Sequence, residues 1–151
     1  MSSKFKRIKK DGGVKVLIKR AKTPGTVDVG IIDAGKHPSG DMTVAEIGFI
    51  NEFGTSKIPE RPFIRSTLRI KKREIIRQQK QLLKKIVDGK LNTTKALGIL
   101  GLFVADEIRK RIVALRTPPN APATIAAKKG KSNPLIDEGQ LKNSITHEVN
   151  R

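Results

Sequence analysis

The chain has 151 residues and a formal net charge of +18, from 32 basic against 14 acidic side chains. It is 36% hydrophobic and 30% charged and contains no Cys, Trp or Tyr, which excludes a disulfide scaffold, a thiolate metal site and a cysteine nucleophile. The length suits one domain with one core, no apolar run approaches the ~20 residues needed to span a bilayer, and no apolar segment of signal-peptide type follows the basic N-terminus.

Residues 1–22 hold nine Lys/Arg and one acid, Asp11. Residues 1–13 end in Asp11-Gly12-Gly13 and read as a basic arm ahead of a single α+β domain over 14–151. Residues 14–20 alternate apolar and basic at Val14, Val16 and Ile18, and residues 26–32 alternate at Val27, Val29 and Ile31. Both have strand period, and Pro24-Gly25 between them is turn chemistry, so a hairpin is expected. Residues 33–42 are a Gly/Pro loop. Thr43 and Glu46 form a capping-box pattern that starts a helix near Val44, with Val44, Ile47, Phe49, Ile50 and Phe53 as its apolar members. Gly54 ends it, where positive φ is cheapest.

After the loop 55–61, Pro62 stands where a helix start tolerates proline. Ile64, Leu68, Ile75, Gln79, Leu82, Leu83 and Ile86 then keep helical spacing, giving a helix of ~25 residues, or ~38 Å, that Gly89 stops. Residues 57–90 carry twelve cations and three acids. Thr93 or Thr94 caps a second long helix to about Leu115, apolar enough to be the core helix. Gly98 and Gly101 inside it suggest close approach of another backbone. Arg109, Lys110 and Arg111 near its end suit the dipole. Residues 117–122 hold three prolines and exclude regular structure. A short helical turn fits 123–129, and 140–149 is expected to be a C-terminal strand pairing with the hairpin. The expected fold is α+β: an antiparallel sheet, made of the N-terminal hairpin and the C-terminal strand, packed against two long helices and one short one.

No residues present themselves for catalysis. His37 lies in the Gly/Pro loop and His147 in a polar strand, neither with a partner at ligand spacing, so no metal or other cofactor is expected. Gly130-Lys131-Ser132 lacks the upstream glycine and strand of a phosphate loop. Asp137-Glu138-Gly139 occurs once, whereas carboxylate-dyad chemistry needs two such turns; it reads as a turn in which Asp137 bonds to its own backbone and Gly139 supplies positive φ. The five phenylalanines read mostly as core. Charge alone supports nonspecific contact with a phosphate backbone or an acidic protein surface. The candidate cations are Lys4, Lys6, Arg7, Lys9 and Lys10 of the arm and Lys71, Lys72 and Arg73 of the basic helix. A nucleic-acid-binding protein that uses these two segments is the alternative reading. Phe53 and Phe63 bracket the loop 55–61 and are expected to lock it, with Pro59 and Pro62 lowering the entropy lost on ordering. Arg61 and Arg65 are candidates for inter-subunit ion pairs.

Two stretches carry a resemblance. Glu52-Phe53-Gly54-Thr55-Ser56-Lys57-Ile58-Pro59-Glu60-Arg61-Pro62-Phe63-Ile64-Arg65 resembles a signature of small tailed-bacteriophage morphogenesis proteins: the neck, head–tail connector and tail-completion proteins. Thr124-Ile125-Ala126-Ala127-Lys128 and Pro134-Leu135-Ile136-Asp137-Glu138-Gly139-Gln140-Leu141-Lys142-Asn143-Ser144-Ile145 resemble the family's C-terminal ending, with Glu138 where Thr or Ser is usual. The order of the two signatures is similar to that in contractile-tailed and Mu-like phages. The resemblance implies a non-enzymatic subunit of the virion, assembled in the bacterial cytoplasm. It implies a homo-oligomeric ring of six or twelve at the head–tail junction, in contact with neighbouring connector and tail proteins, with genomic DNA in its lumen and no membrane. The residues it marks for structure and assembly are Glu52, Phe53, Gly54, Thr55, Pro59, Arg61, Pro62, Phe63 and Arg65, then Asp137, Gly139, Leu141, Ser144 and Ile145.

Overall fold

A computed structural model of the chain describes residues 12–21, 24–32, 35–36 and 41–150. Among these the element order is α1 (Gly12–Ala21), β1 (Thr26–Ile31), α2 (Val44–Phe53), α3 (Ile64–Val87), α4 (Thr93–Ala114), α5 (Pro122–Ala127), α6 (Gln140–Asn143) and β2 (Ile145–Asn150). The class is α+β, with a two-stranded antiparallel sheet, two long helices and the short α2. Arm residues 1–11 and His37 lie outside the described residues.

The sheet differs from the expected hairpin. Residues 14–20 form α1, not a strand, and α1 lies against α3. The sequence has a reason for this. Strand period would put Leu17 on the same side as Lys15 and Lys19. Helical period instead groups Val14, Leu17, Ile18 and Ala21 at i, i+3, i+4 and i+7. β1 therefore pairs only with β2 among the described residues. Ile31 faces Ile145, Val29 faces His147 and Val27 faces Val149, so this side of the ribbon is apolar and packs on α4. The expected C-terminal strand begins late. Residues 140–143 are the single turn α6, and only Ile145 onward is extended.

α4 is the core helix, with Ala96, Leu100, Val104, Ala105, Ile108 and Ile112 buried. It touches α3 on one side and both strands on another. Its cap is Asn92, not Thr93 or Thr94. The Asn92 carboxamide oxygen accepts from the Lys95 N–H at 2.8 Å, and Asn and Asp cap at least as well as Thr. Gly101 makes room for a side chain rather than for another backbone: a Cβ there would lie 2.5 Å from His147 Cδ2 and 2.8 Å from His147 Cβ. His147 is therefore half-buried over the helix, not a free surface residue.

α2 starts as its capping box dictates. Thr43 Oγ1 accepts from the Glu46 N–H at 3.2 Å, and the Glu46 carboxylate accepts from the Thr43 N–H at 2.7 Å. This bond to Thr43 lowers the Glu46 pKa. α3 runs 24 residues, about 36 Å. Thr67 and Leu82 are buried and Ile64, Ile75 and Ile86 partly so, but Leu68 and Leu83 face out. The apolar track of this helix is wider than its contact with α4.

Candidate functional site

The joint between α2 and α3 is organised by one carboxylate. Glu52, in the last turn of α2, is only 4% exposed. Its Oε2 accepts from the N–H groups of Phe63 at 2.7 Å and Ile64 at 2.9 Å, and its Oε1 from that of Arg65 at 2.8 Å. A helix start leaves such donors without intrahelical partners. Phe63 precedes α3 in helical conformation and offers no side-chain cap. A carboxylate from the preceding helix takes that role, favoured by the positive end of the α3 dipole.

Arg65 closes the arrangement. Its Nε is 3.1 Å from Glu52 Oε1, and its Nη2 is 3.1 Å from Glu60 Oε2 while also donating to the Glu52 carbonyl. The guanidinium lies 4.6 Å from the centroid of the Phe53 ring, within cation–π range. The loop beneath has its own logic. Gly54 takes φ of 73°, and a Cβ there would meet Glu60 N at 2.8 Å and Ile58 O at 2.9 Å, so only glycine fits. Thr55 Oγ1 accepts from the N–H groups of Lys57 and Ile58 at 3.2 and 3.0 Å, a hydroxyl turn of the kind Thr favours. Pro59 is exposed and Pro62 half-buried, and Pro62 ends the loop just ahead of Phe63.

Arg61 is buried, at 4% exposure, with no carboxylate partner among the described residues. Its Nε donates to Pro118 O at 2.7 Å and its Nη2 to Pro119 O at 2.8 Å, with Asn51 Oδ1 at 3.5 Å from Nη1. Burial lowers its pKa. This guanidinium fastens the proline-rich segment 117–122 to the joint. Within the chain Arg61 is fully engaged, whereas the Arg65 side chain, paired with Glu52 and Glu60, stays half-exposed.

The C-terminal signature supports α2 from the other side. Asn133 Oδ1 accepts from the N–H groups of Leu135 and Ile136 at 2.9 and 3.1 Å. The side-chain turn expected of Asp137 is thus made by Asn133, and the Asp137 carboxylate faces Lys131 Nζ at 3.7 Å. Gly139 takes φ of 84°. Leu141 and Ile145 are buried, and Ser144 Oγ donates to Gln140 O at 2.9 Å. The C-terminal signature meets α2 across a cleft of about 120 Å³ lined by Val44, Ile47 and Asn51 of α2 and by Leu135, Gln140 and Leu141.

The aromatic residues divide. Phe63 is fully buried, but Phe49 and Phe53 are 63% and 51% exposed, with ring centroids 4.7 Å apart. They correct the reading of the phenylalanines as core. In α2 the inward positions are taken by Val44, Gly48 and Glu52, and the polar anchor at Glu52 turns both rings outward. The Phe53–Phe63 lock is therefore half realised, with Phe63 packed inside and Phe53 exposed with the Arg65 guanidinium over one face.

Further along α3, Lys71 is not a free cation. Its Nζ lies 2.7 Å from Glu107 Oε2 and 3.3 Å from Glu74 Oε2. Glu107 on α4 is buried and also holds Lys110 Nζ at 2.8 Å. Hydrogen bonds from Lys110 first and Lys71 second keep the Glu107 carboxyl below its ordinary pKa. Lys72 and Arg73 are exposed, and Lys4, Lys6, Arg7, Lys9 and Lys10 lie outside the described residues. Among the described residues no group of three His, Cys, Asp or Glu side chains could hold a metal. None of their helices is long and apolar enough to cross a membrane. Glu52 as a helix cap, Asn51 and Asn133 as anchors and the Glu107 cluster escape sequence reading, because their partners are distant in the chain or backbone groups.

Compared with family models, curated proteins and solved structures, the chain matches none.

Proposed function

We propose that this chain is a structural subunit of a tailed-phage virion, forming a ring at the head–tail junction as a neck or tail-completion protein. The resemblance of residues 52–65 and 134–145 to that family suggests it. The observation that carries it is the Phe49–Phe53 pair, two rings in tilted contact and exposed beside the joint. A chain so poor in aromatics gains nothing as a monomer by presenting two of them to water, and such patches mark protein contacts. Leu68, Ile76 and Leu83 on α3 and Ile99, Leu102 and Val113 on α4 are exposed as well. In this reading the joint holds α2 and α3 at a fixed angle, and the subunit buries these faces against neighbours. Its work is assembly, with no catalytic step and no cofactor. Single-particle electron microscopy of the purified chain tests this: closed rings of six or twelve are expected, and particles that stay monomeric at every concentration reject it.

A further inference from the structure

α3 carries a ridge of positive charge that the fold leaves open. Arg69, Arg73 and Arg77 follow one another at four-residue steps, and Lys80 and Lys84 continue the same side of the helix. All five are exposed. Arg77 reaches Glu74 at 3.7 Å, and the other four have no ion pair among the described residues. Glu74 is the one acid of α3, and it lies on the side that meets α4, where it pairs with Lys71. Apart from the contact of Arg77 with Glu74, the ridge meets no negative charge among the described residues over the 16 residues 69–84, about 22 Å of helix.

This is a poor design for a merely solvated face. Solvated helices interleave the two signs, and like charges four residues apart repel and weaken the helix. A polyanion reverses that repulsion. We infer that the Arg69–Arg73–Arg77–Lys80–Lys84 ridge of α3 binds the phosphate backbone of duplex DNA without reading sequence. One DNA strand presents a charge about every 3.4 Å along the axis, so about 22 Å of ridge runs beside roughly six phosphates. Five cations come within one or two of that number. Base readout is not implied: the exposed aromatic pair sits on α2, and the ridge has none. The inference refines the basic-helix reading, because Lys71 is occupied by carboxylates and Arg73 is a central member. It stands on the charge pattern of α3 and holds whether or not the chain closes into a ring.

The test is fluorescence anisotropy of the full chain with a labelled random-sequence duplex, across salt from about 50 to about 200 mM. Two variants accompany it. Arg73→Gln/Arg77→Gln/Lys80→Gln removes ridge charge, and Lys57→Gln/Lys95→Gln/Lys129→Gln removes the same charge elsewhere. The slope of log K against log salt is expected to become shallower by about 2.7 in the ridge variant, at about 0.9 per phosphate contact, with affinity at least about tenfold weaker at the lower salt. The control variant is expected to keep most of the slope. Equal losses in both variants overturn the inference, as does unchanged binding in the ridge variant or no duplex binding at low salt. Polyglutamate that competes as well as unlabelled duplex also overturns it and assigns the ridge to an acidic protein. Sedimentation of the same samples separates the two proposals. Rings without ridge-dependent binding defeat this inference alone, and a monomer that binds through the ridge defeats only the ring.

Discussion

Glu52 accepts three backbone N–H groups and one guanidinium N–H in a site nearly closed to water. Glu52→Gln keeps the shape but replaces an accepting oxygen with a donor, so at least one N–H of the α3 start loses its partner. Hydrogen bonds to charged groups contribute about 1.5–3 kcal/mol, and an orphaned buried donor costs about 1–3 kcal/mol. Chemical denaturation of Glu52→Gln is expected to show a loss of about 2–3 kcal/mol, and an unchanged midpoint would refute the capping role. Glu107 gives a second test, through pH. Its folded-state pKa is held below the ordinary 4.5, so folding favours the ionised form. That stability is present above pH 4.5 and fades as pH falls through the lower folded-state value. Acid unfolding of Glu107→Gln should start from a less stable protein near neutrality and fall less steeply below pH 4.5 than wild type. Parallel curves would mean that the lysines around Glu107 add nothing.

The elements differ in how far local sequence decides them. α2, α3, α4 and α5 are readable from periodicity, caps and breakers, because Thr43, Gly54, Pro62 and Gly89 act on their immediate neighbours. The segment 14–20 is the failure. Its alternation of valine and lysine satisfies strand period, but the spacing of Val14, Leu17, Ile18 and Ala21 in the sequence is also helical, and the segment is a helix. β1 consequently finds its partner at the far end of the chain, a choice that depends on α4 lying beneath both strands. Within α4 the two glycines look alike in sequence and differ in structure. A Cβ on Gly98 meets nothing nearer than His147 Nε2 at 4.0 Å, whereas on Gly101 it would overlap the His147 ring and Cβ. Gly98→Ala is expected to stabilise the fold by about 0.5–1 kcal/mol through helix propensity. Gly101→Ala is expected to destabilise it by about 1–3 kcal/mol through overpacking against β2. Thermal melts of the pair check this, and stabilisation by both substitutions would place β2 farther from α4 than the structure has it.

For the molecule as a whole, the class and the location of the joint are legible in the sequence, and the joint's chemistry is not. Residues 52–65 stand out by their glycine, prolines and phenylalanines. Nothing in them announces that Glu52 caps the following helix, since its partners are backbone N–H groups, or that Arg61 reaches the carbonyls of Pro118 and Pro119, which return from far along the chain. The direction of the apolar side chains is equally hidden: Phe49 keeps helical spacing with the core residues of α2 yet faces out, because Glu52 claims the inward turn. That outward face is where the proposed function is most exposed to refutation. Sedimentation velocity of wild type and Phe49→Glu, carried to the solubility limit, tests it most directly. Assembly of wild type to a hexamer or dodecamer is expected, with Phe49→Glu monomeric and unchanged in thermal midpoint because its side chain supports no core contact. A wild-type chain that sediments as a 16.6 kDa monomer throughout, or a Phe49→Glu variant that assembles as well as wild type, would contradict a ring built on this face.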